Sequence, residues 1–274
     1  MVFKVGMTRD LLTRSGEPCF DPRALDVVKG VEGLAWEWVP EELSVVSPEV
    51  AARYDGLYIN LPKVTAASVG RGDCRLRIIA RNGVGYDSVD IDACSKRGIV
   101  VTNTPLAVRR PVAVATLTMI FALAGRLFAK DRLVRTGRWN DRVDFMGQGL
   151  TSRTLGLVGA GGIGQEIMRL ARPFFARMIA ADPHVSAEAV APLGASLLPL
   201  DTVMRESDFL VVCCLLNSET HHLVDARRLS LMKPTAYYIN MGRGPIHDEA
   251  ALAAALKRGA IAGAGLDVTE EEPI

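Results

Sequence analysis

Short apolar runs alternate along the chain with longer stretches that are rich in alanine, leucine and arginine. The short runs contain many β-branched residues and little alternation of apolar and polar positions, which is typical of strands covered by helices on both faces. The longer stretches have the length of helices. This alternation predicts βαβ units and parallel sheets, and therefore an α/β fold.

In the first third of the chain the pattern predicts strands near 3–6, 57–60, 77–80 and 99–102, with helices near 22–28, 48–52 and 89–96. An apolar helix is predicted to start at Pro111 and to run to about Arg135, followed by a polar linker up to Arg153. The second part is more regular. Its predicted strands are 154–158, 178–181, 209–215, 236–240 and 263–268, and its predicted helices are 163–175, 200–206, part of 220–232 and 249–258.

Composition narrows the class of protein. At roughly 150 residues per domain, 274 residues indicate two domains. The 32 basic and 31 acidic residues give a net charge of +1, which argues against a partner that is nucleic acid or a membrane surface. The five cysteines include no CxxC pair, so neither a metal site nor a disulfide framework is expected. With no apolar leader and no apolar stretch long enough to span a bilayer, a reducing, cytoplasmic location is expected.

A glycine-rich loop follows the predicted strand 154–158. It contains Gly159, Gly161, Gly162, Ile163 and Gly164 in a GxGxxG pattern that opens a predicted helix. Such a loop makes a tight turn and brings backbone close to a pyrophosphate, which the free N–H groups of the helix start can bind. A plain glycine-rich turn is the alternative, but the flanking strand and helix favour dinucleotide binding.

Asp182 lies 18 residues after Gly164, at the end of the next predicted strand. An acidic side chain there can accept hydrogen bonds from the adenosine ribose and repels a 2′-phosphate. The sequence therefore predicts NAD rather than NADP as the cofactor. His184 could weaken that preference, although most histidines in such positions are solvated.

Several further motifs occur in a fixed order: Asn82-Gly-Val-Gly-Tyr-Asp-Ser-Val-Asp90, Thr102-Asn-Thr-Pro105, Gly137-Arg-Trp139, Leu231-Met-Lys-Pro-Thr-Ala-Tyr-Tyr-Ile-Asn-Met-Gly-Arg-Gly244 and Ala264-Gly-Leu-Asp-Val-Thr-Glu-Glu-Glu-Pro273. Together with the glycine loop, they resemble the D-isomer-specific 2-hydroxyacid dehydrogenases, which include glyoxylate/hydroxypyruvate, phosphoglycerate and D-lactate dehydrogenases. The match extends from about residue 55 to the last residue, and the motifs do not single out one member.

The resemblance implies two Rossmann-like domains with the active site in the cleft between them. Residues 1–103 would form a flavodoxin-like substrate domain, and residues 104–274 a parallel-sheet NAD-binding domain. The apolar helix would contribute to a homodimer, with burial between the domains of one chain as the alternative.

The resemblance also assigns individual residues. Arg243 would orient the substrate, because a guanidinium can hold carboxylate and carbonyl oxygens in a planar fork. The backbone at Val84 and Gly85 would bind the substrate carboxylate, although a plain tight turn is the alternative. Met241 and Asp267 would contact the cofactor, with Asp267 holding the nicotinamide carboxamide.

Glu272 matches the glutamate that pairs with a catalytic histidine in the family. A carboxylate beside an imidazole favours its charged form. That histidine is expected some twenty residues later, and neither it nor the family's C-terminal return segment is present in this chain. We therefore expect a truncated chain; the alternative is a protein without a complete acid–base pair. Of the available histidines, His247 lies closest in sequence to Arg243, and none occupies a matching motif.

The function expected from the resemblance is NAD(H)-dependent interconversion of a D-2-hydroxy acid and its 2-keto acid, with a glyoxylate/hydroxypyruvate- or phosphoglycerate-type substrate. A non-enzymatic NAD-sensing module of the same fold is the main alternative. Oxidation of phosphite within the same family is a further one.

Overall fold

A computed structural model describes residues 2–272 and residue 274. Met1 and Pro273, which belong to the predicted substrate domain and to the last family motif, lie outside the described residues. The chain divides into two compact units, Met1–Pro105 and Leu106–Ile274.

The first unit is built on a five-stranded parallel sheet. Its strands are β1 Phe3–Met7, β2 Leu34–Trp38, β3 Gly56–Ile59, β4 Ile78–Arg81 and β5 Val100–Thr102. They lie in the order β2-β1-β3-β4-β5, which is the flavodoxin-like order. The α-helices are α1 Asp26–Lys29, α2 Pro48–Arg53, α3 Ala66–Val69 and α4 Ile91–Lys96, and short 3₁₀ helices cover Arg9–Leu11 and Pro22–Leu25.

The second unit contains a six-stranded parallel sheet. Its strands are β6 Thr154–Val158, β7 Arg177–Ala181, β8 Ala195–Leu197, β9 Phe209–Val212, β10 Tyr237–Asn240 and β11 Gly263–Leu266. Their order, β11-β10-β9-β6-β7-β8, is that of a dinucleotide-binding fold. The chain reverses its direction of winding beside β6, and ligands of such sheets bind at that point, outside the carboxyl ends of the strands.

Helices cover both faces of this second sheet. They are α5 Arg109–Ala124, α6 Leu127–Arg135, α7 Gly162–Ala171, α8 Ala187–Val190, α9 Leu200–Glu206, α10 Ala226–Leu229 and α11 Glu249–Lys257. Short 3₁₀ helices cover Trp139–Phe145, Ala191–Leu193 and Gly244–Ile246. Two apolar clusters, centred on Ile167 and Phe209 in one case and on Val212 and Leu252 in the other, fill the space between sheet and helices.

The single helix predicted from Pro111 to Arg135 is wrong. α5 ends at Ala124, and α6 begins after Arg126, which has a left-handed backbone with φ of 52°. The expected linker also contains a 3₁₀ helix, Trp139–Phe145. No single described helix has the length and apolar character needed to cross a membrane, although α5 and α6 together pass that test as a pair bent by 57°.

Candidate active site

The glycine loop between β6 and α7 forms an open cradle. Gly159 has φ of +102°, and a Cβ there would lie 2.8 Å from the Cys214 nitrogen. A Cβ on Gly164 would lie 2.4 Å from the Gly159 carbonyl oxygen, whereas one on Gly161 would meet no atom within 4 Å. The loop therefore needs glycine at its two ends for its own geometry, and at Gly161 it leaves free space above the first turn of α7. These features fit the pyrophosphate of a dinucleotide.

Asp182 lies directly against this loop. Its Oδ2 accepts a hydrogen bond of 2.7 Å from the Ala160 amide, and its Oδ1 accepts one of 2.8 Å from the His184 amide. The carboxylate follows β7, the strand beside β6. The structure thus brings together the two sequence features, glycine loop and acidic residue, on which the cofactor prediction depended.

Two cysteines follow β9 beside the loop. Cys213 donates through Sγ to the Gly159 carbonyl at 3.2 Å. Burial raises the pKa of the Cys213 thiol, and it raises that of Cys214 to about 11. Both side chains are therefore neutral thiols at physiological pH, and they support the loop as packing groups.

Arg243 lies in the turn after β10, at the same carboxyl edge of the sheet. The turn is organised by Asn240, the last residue of the strand. The Asn240 side chain accepts a 2.9 Å hydrogen bond from the Gly242 amide and donates one of 2.9 Å to the Arg243 carbonyl. The guanidinium of Arg243 also donates through Nη1 to the Gly242 carbonyl at 2.9 Å. No role was predicted for Asn240 from the sequence, although its position at a strand end beside Arg243 was a usable signal.

The two remaining predicted cofactor residues of this edge differ in exposure. Asp267 follows β11, is exposed, and donates its amide to the Asn240 carbonyl at 3.1 Å. Met241 is buried in the sheet core with its amide bonded to the Val212 carbonyl at 2.9 Å. Ile163 packs partly buried against the same core, and Gly162 is the first residue of α7. Asp267 is the most exposed of these residues.

The Arg243 turn and the segment after β11 are packed tightly against each other. A Cβ on Gly244 would lie 1.8 Å from the Thr269 carbonyl oxygen. Glu249 and Glu270 exchange hydrogen bonds, each amide donating to the other's carboxylate at 3.1 and 2.7 Å. Residues 241–249 and 267–270 therefore form one interlocked structure, which no local sequence signal predicts.

Glu272 does not contact any histidine among residues 2–272. Its Oε1 accepts a 3.0 Å hydrogen bond from the Thr269 amide, and the side chain is exposed. The carboxylate that pairs with an imidazole is that of Glu270, whose Oε1 lies 2.8 Å from Nε2 of His222. His222 has a left-handed backbone with φ of 49° and stacks on His221 at 4.1 Å between ring centroids.

The predicted carboxylate-binding turn lies in the first unit, after β4. Gly83 has φ of +119° and exchanges hydrogen bonds with Thr104, whose Oγ1 accepts from the Gly83 amide at 2.7 Å. Asn103 donates to the Val84 carbonyl at 2.8 Å. Within the described part of the chain, no group accepts a hydrogen bond from the amides of Val84 and Gly85. Backbone N–H groups without an acceptor in their own turn are a feature of anion sites.

Comparison with known families agrees with this geometry. A family model described as D-isomer specific 2-hydroxyacid dehydrogenase, NAD binding domain, matches residues 117–274. The chain belongs to this family. The predicted family is thereby confirmed, and the two parallel sheets confirm the predicted α/β fold class.

Individual dehydrogenases of the family are similar over most of the chain. A glyoxylate reductase from Thermococcus onnurineus is 40% identical over 244 residues, which cover 87% of this chain and 73% of that protein. A D-3-phosphoglycerate dehydrogenase from Synechocystis is 34% identical over 255 residues, or 93% of this chain and 45% of that protein. The crystal structure of D-lactate dehydrogenase from Aquifex aeolicus, complexed with NAD and lactic acid, superimposes with a TM-score of 0.85 at 28% identity, covering 98% of this chain and 78% of that one.

These dehydrogenases confirm NAD as the cofactor and NAD-dependent 2-hydroxyacid oxidoreduction as the class of chemistry. The alternative of a non-enzymatic NAD-sensing module is not favoured by them. Several curated relatives are matched over less than two thirds of their own length; the Thermococcus gammatolerans glyoxylate reductase, for example, is covered over 61%.

Proposed function

We propose that this dehydrogenase reduces glyoxylate, or a 2-keto acid of similar size such as hydroxypyruvate, with NADH. The observation that carries the proposal is the arrangement at one edge of the second sheet. The glycine loop, Asp182, Asp267 and Arg243 all follow the carboxyl ends of strands in the same parallel sheet. The 40% identity to a glyoxylate reductase supports a small keto acid as substrate.

The cofactor would be held by the loop from Gly159 to Gly164, by Asp182 and by Asp267. Gly161 leaves room for the pyrophosphate, and Asp182 would accept the adenosine ribose hydroxyls. The carboxylate of Asp267 would orient the nicotinamide amide. The nicotinamide supplies the hydride of the reaction, and the chain supplies orientation and charge.

Arg243 would bind the substrate carboxylate and polarise its ketone. The Asn240 side chain fixes the backbone of the turn, and therefore the position from which the Arg243 side chain extends. A fixed cation that meets developing negative charge on the ketone oxygen stabilises the transition state more than the ground state. The amides of Val84 and Gly85 are proposed as a second carboxylate contact. Glu272 is proposed as the carboxylate that supports protonation of the ketone oxygen.

The test is a steady-state assay of NADH oxidation with a panel of 2-keto acids. We expect turnover with glyoxylate or hydroxypyruvate, and a fall of two or more orders of magnitude in Arg243→Ala with NADH affinity unchanged. Arg243→Lys retains the charge but not the planar fork, so it should recover only part of the turnover. Arg205→Ala, an exposed arginine on α9, is the matched control. Near-normal turnover in Arg243→Ala would remove this residue from the mechanism.

We further propose that the protein is a homodimer joined through the arm formed by α6 and the 3₁₀ helix that follows it. Six apolar side chains on this arm, or directly after it, are each more than half exposed: Leu127, Phe128, Val134, Trp139, Val143 and Met146. Exposed apolar side chains that are clustered in this way mark association surfaces.

Trp139→Lys should convert the dimer to a monomer in light scattering, whereas Leu256→Lys, an exposed apolar position on α11, should not. A wild-type protein that is monomeric at all concentrations would contradict the proposal.

We also propose a reducing, cytoplasmic location, which the unpaired state of all five cysteines supports. Thiol labelling of the protein in intact cells should find all five in reduced form.

A further inference from the structure

A buried histidine lies immediately beneath the Arg243 turn. His247 is completely excluded from solvent. Its ring packs edge-on against Tyr238, with 5.6 Å between the ring centroids. Its backbone is fixed by the segment at Val224, whose amide donates to the Ile246 carbonyl at 3.0 Å and whose carbonyl accepts from the Asp248 amide at 3.1 Å. The imidazole therefore has a single well-defined position.

The imidazole contacts the residue that organises the Arg243 turn. Nδ1 of His247 lies 2.9 Å from Nδ2 of Asn240. The Asn240 amide has two N–H groups, and one of them donates to the Arg243 carbonyl. The other points at His247, and the Asn240 oxygen is already used by the Gly242 amide. The pair is favourable only if Nδ1 carries no proton, because two donors would otherwise face each other.

We propose that neutral His247 is the positioning residue of Arg243. Its Nδ1 accepts a hydrogen bond from the side-chain amide of Asn240. This bond fixes the amide that binds the Gly242 N–H and the Arg243 carbonyl in the turn. The inference rests on the proposed role of Arg243 in binding substrate. Protonation of the ring replaces the acceptor by a donor, breaks the contact with Asn240 and loosens the turn. The enzyme should therefore lose substrate orientation in acid before it loses its cofactor.

The charged groups around the ring oppose one another. Burial lowers the pKa of His247 below its ordinary value of 6.5. The carboxylates of Glu249, Glu270 and Asp248 act in the opposite direction, and His222 acts in the same direction as burial. The net effect keeps the imidazole neutral at physiological pH. Its Nε2 then carries the proton, and this atom is buried without a hydrogen-bond partner in the described part of the chain.

Two variants separate positioning from packing. Asparagine at 247 offers an oxygen at about the position of Nδ1 and does not titrate, whereas leucine fills a similar volume without an acceptor. We expect His247→Leu to lower kcat with glyoxylate by about tenfold, because a buried Asn240 donor is left unsatisfied. His247→Asn should retain most of the turnover. It should also remove an acid limb that lies below 6.5 in the wild-type pH profile. NADH affinity should be unchanged in both.

If the two variants are equally active and the acid limb persists in His247→Asn, the positioning role is refuted. Nitrogen NMR of the wild-type imidazole gives a test that needs neither turnover nor a variant. We expect the Nε2–H tautomer at neutral pH, and a proton on Nδ1 would overturn the inference. A wild-type protein that turns over no keto acid would count against the proposed function, while the NMR result would still decide the tautomer on which the inference depends.

Discussion

Gly161 and Gly164 give the sharpest test of the cofactor site, because the same substitution by alanine should act through different mechanisms. A methyl group on Gly161 meets no protein atom within 4 Å. The backbone there, with φ of −68° and ψ of −162°, is accessible to alanine. The expected loss of stability is at most about 1 kcal/mol, from a poorer helix N-cap. This corresponds to a fall in Tm of about 4 °C or less.

Binding should respond quite differently. The methyl group of Gly161→Ala projects into the space left for the pyrophosphate, so NADH affinity should fall by about a hundredfold or more. In Gly164→Ala, the methyl group lies 2.4 Å from the Gly159 carbonyl oxygen, whereas ordinary contact begins at 3.4 Å. The loop must move by the 1.0 Å difference between these two distances. That variant should lose both NADH affinity and about 1–3 kcal/mol of stability.

The assays are fluorescence titration with NADH and thermal unfolding without cofactor. Gly149→Ala is the control, because it is exposed and a methyl group there also meets nothing within 4 Å. It should change neither quantity. Unchanged NADH affinity in Gly161→Ala would refute the placement of the pyrophosphate above this residue. A Tm loss as large as that of Gly164→Ala would instead show that the loop is crowded where the structure shows free space.

Two further predictions concern Asp182 and His247. Asp182→Ala should weaken NADH binding and reduce the preference for NADH over NADPH, since the variant lacks both the ribose acceptor and the negative charge that repels a 2′-phosphate; the ratio of the two dissociation constants measures this, and an unchanged ratio would count against the ribose role. His247 should make stability depend on pH. Its native pKa is lowered, so below 6.5 the unfolded chain binds a proton that the native state resists. The contribution of His247 to the free energy of unfolding is therefore complete above pH 6.5, and it is lost as the pH falls towards the pKa of His247 in the native state. The Tm of wild type should drop more steeply than that of His247→Asn between neutral pH and about pH 5, and parallel curves would disprove the assignment.

The inner strands and the cofactor loop could be predicted from sequence because their signals are local. The strand 154–158 and the helix 200–206 agree with the structure residue for residue. Asp248 caps α11, accepting from the Ala251 amide at 2.8 Å, and Gly259, just after the helix, has a positive φ. Each of these features depends on a few neighbouring residues, so a single sequence contains the information.

Two strands, β2 and β8, were not predicted, and both lie at the edge of a sheet. β2, Leu-Ala-Trp-Glu-Trp, contains no fully buried residue. An edge strand is flanked on one side only and lacks the continuous apolar run that identifies an inner strand. The break between α5 and α6 at Gly125 and Arg126 was also missed, although the glycine was a usable signal.

At the candidate site, prediction from sequence is limited by contacts between segments that are distant in the chain. The structure pairs Glu270 with His222, which lies 48 residues away in sequence. His247 was left without a role because its partner, Asn240, is identified by the shape of a turn and not by a motif. Neither pairing could be predicted without coordinates.

The close packing of Gly244 on the Thr269 carbonyl has a consequence for engineering. Because the two strand-end segments share that contact and the reciprocal bonds between Glu249 and Glu270, a replacement in one segment alone would leave the other without its complementary surface. Attempts to alter the substrate range of this enzyme should transplant both segments from a single donor, as one cassette.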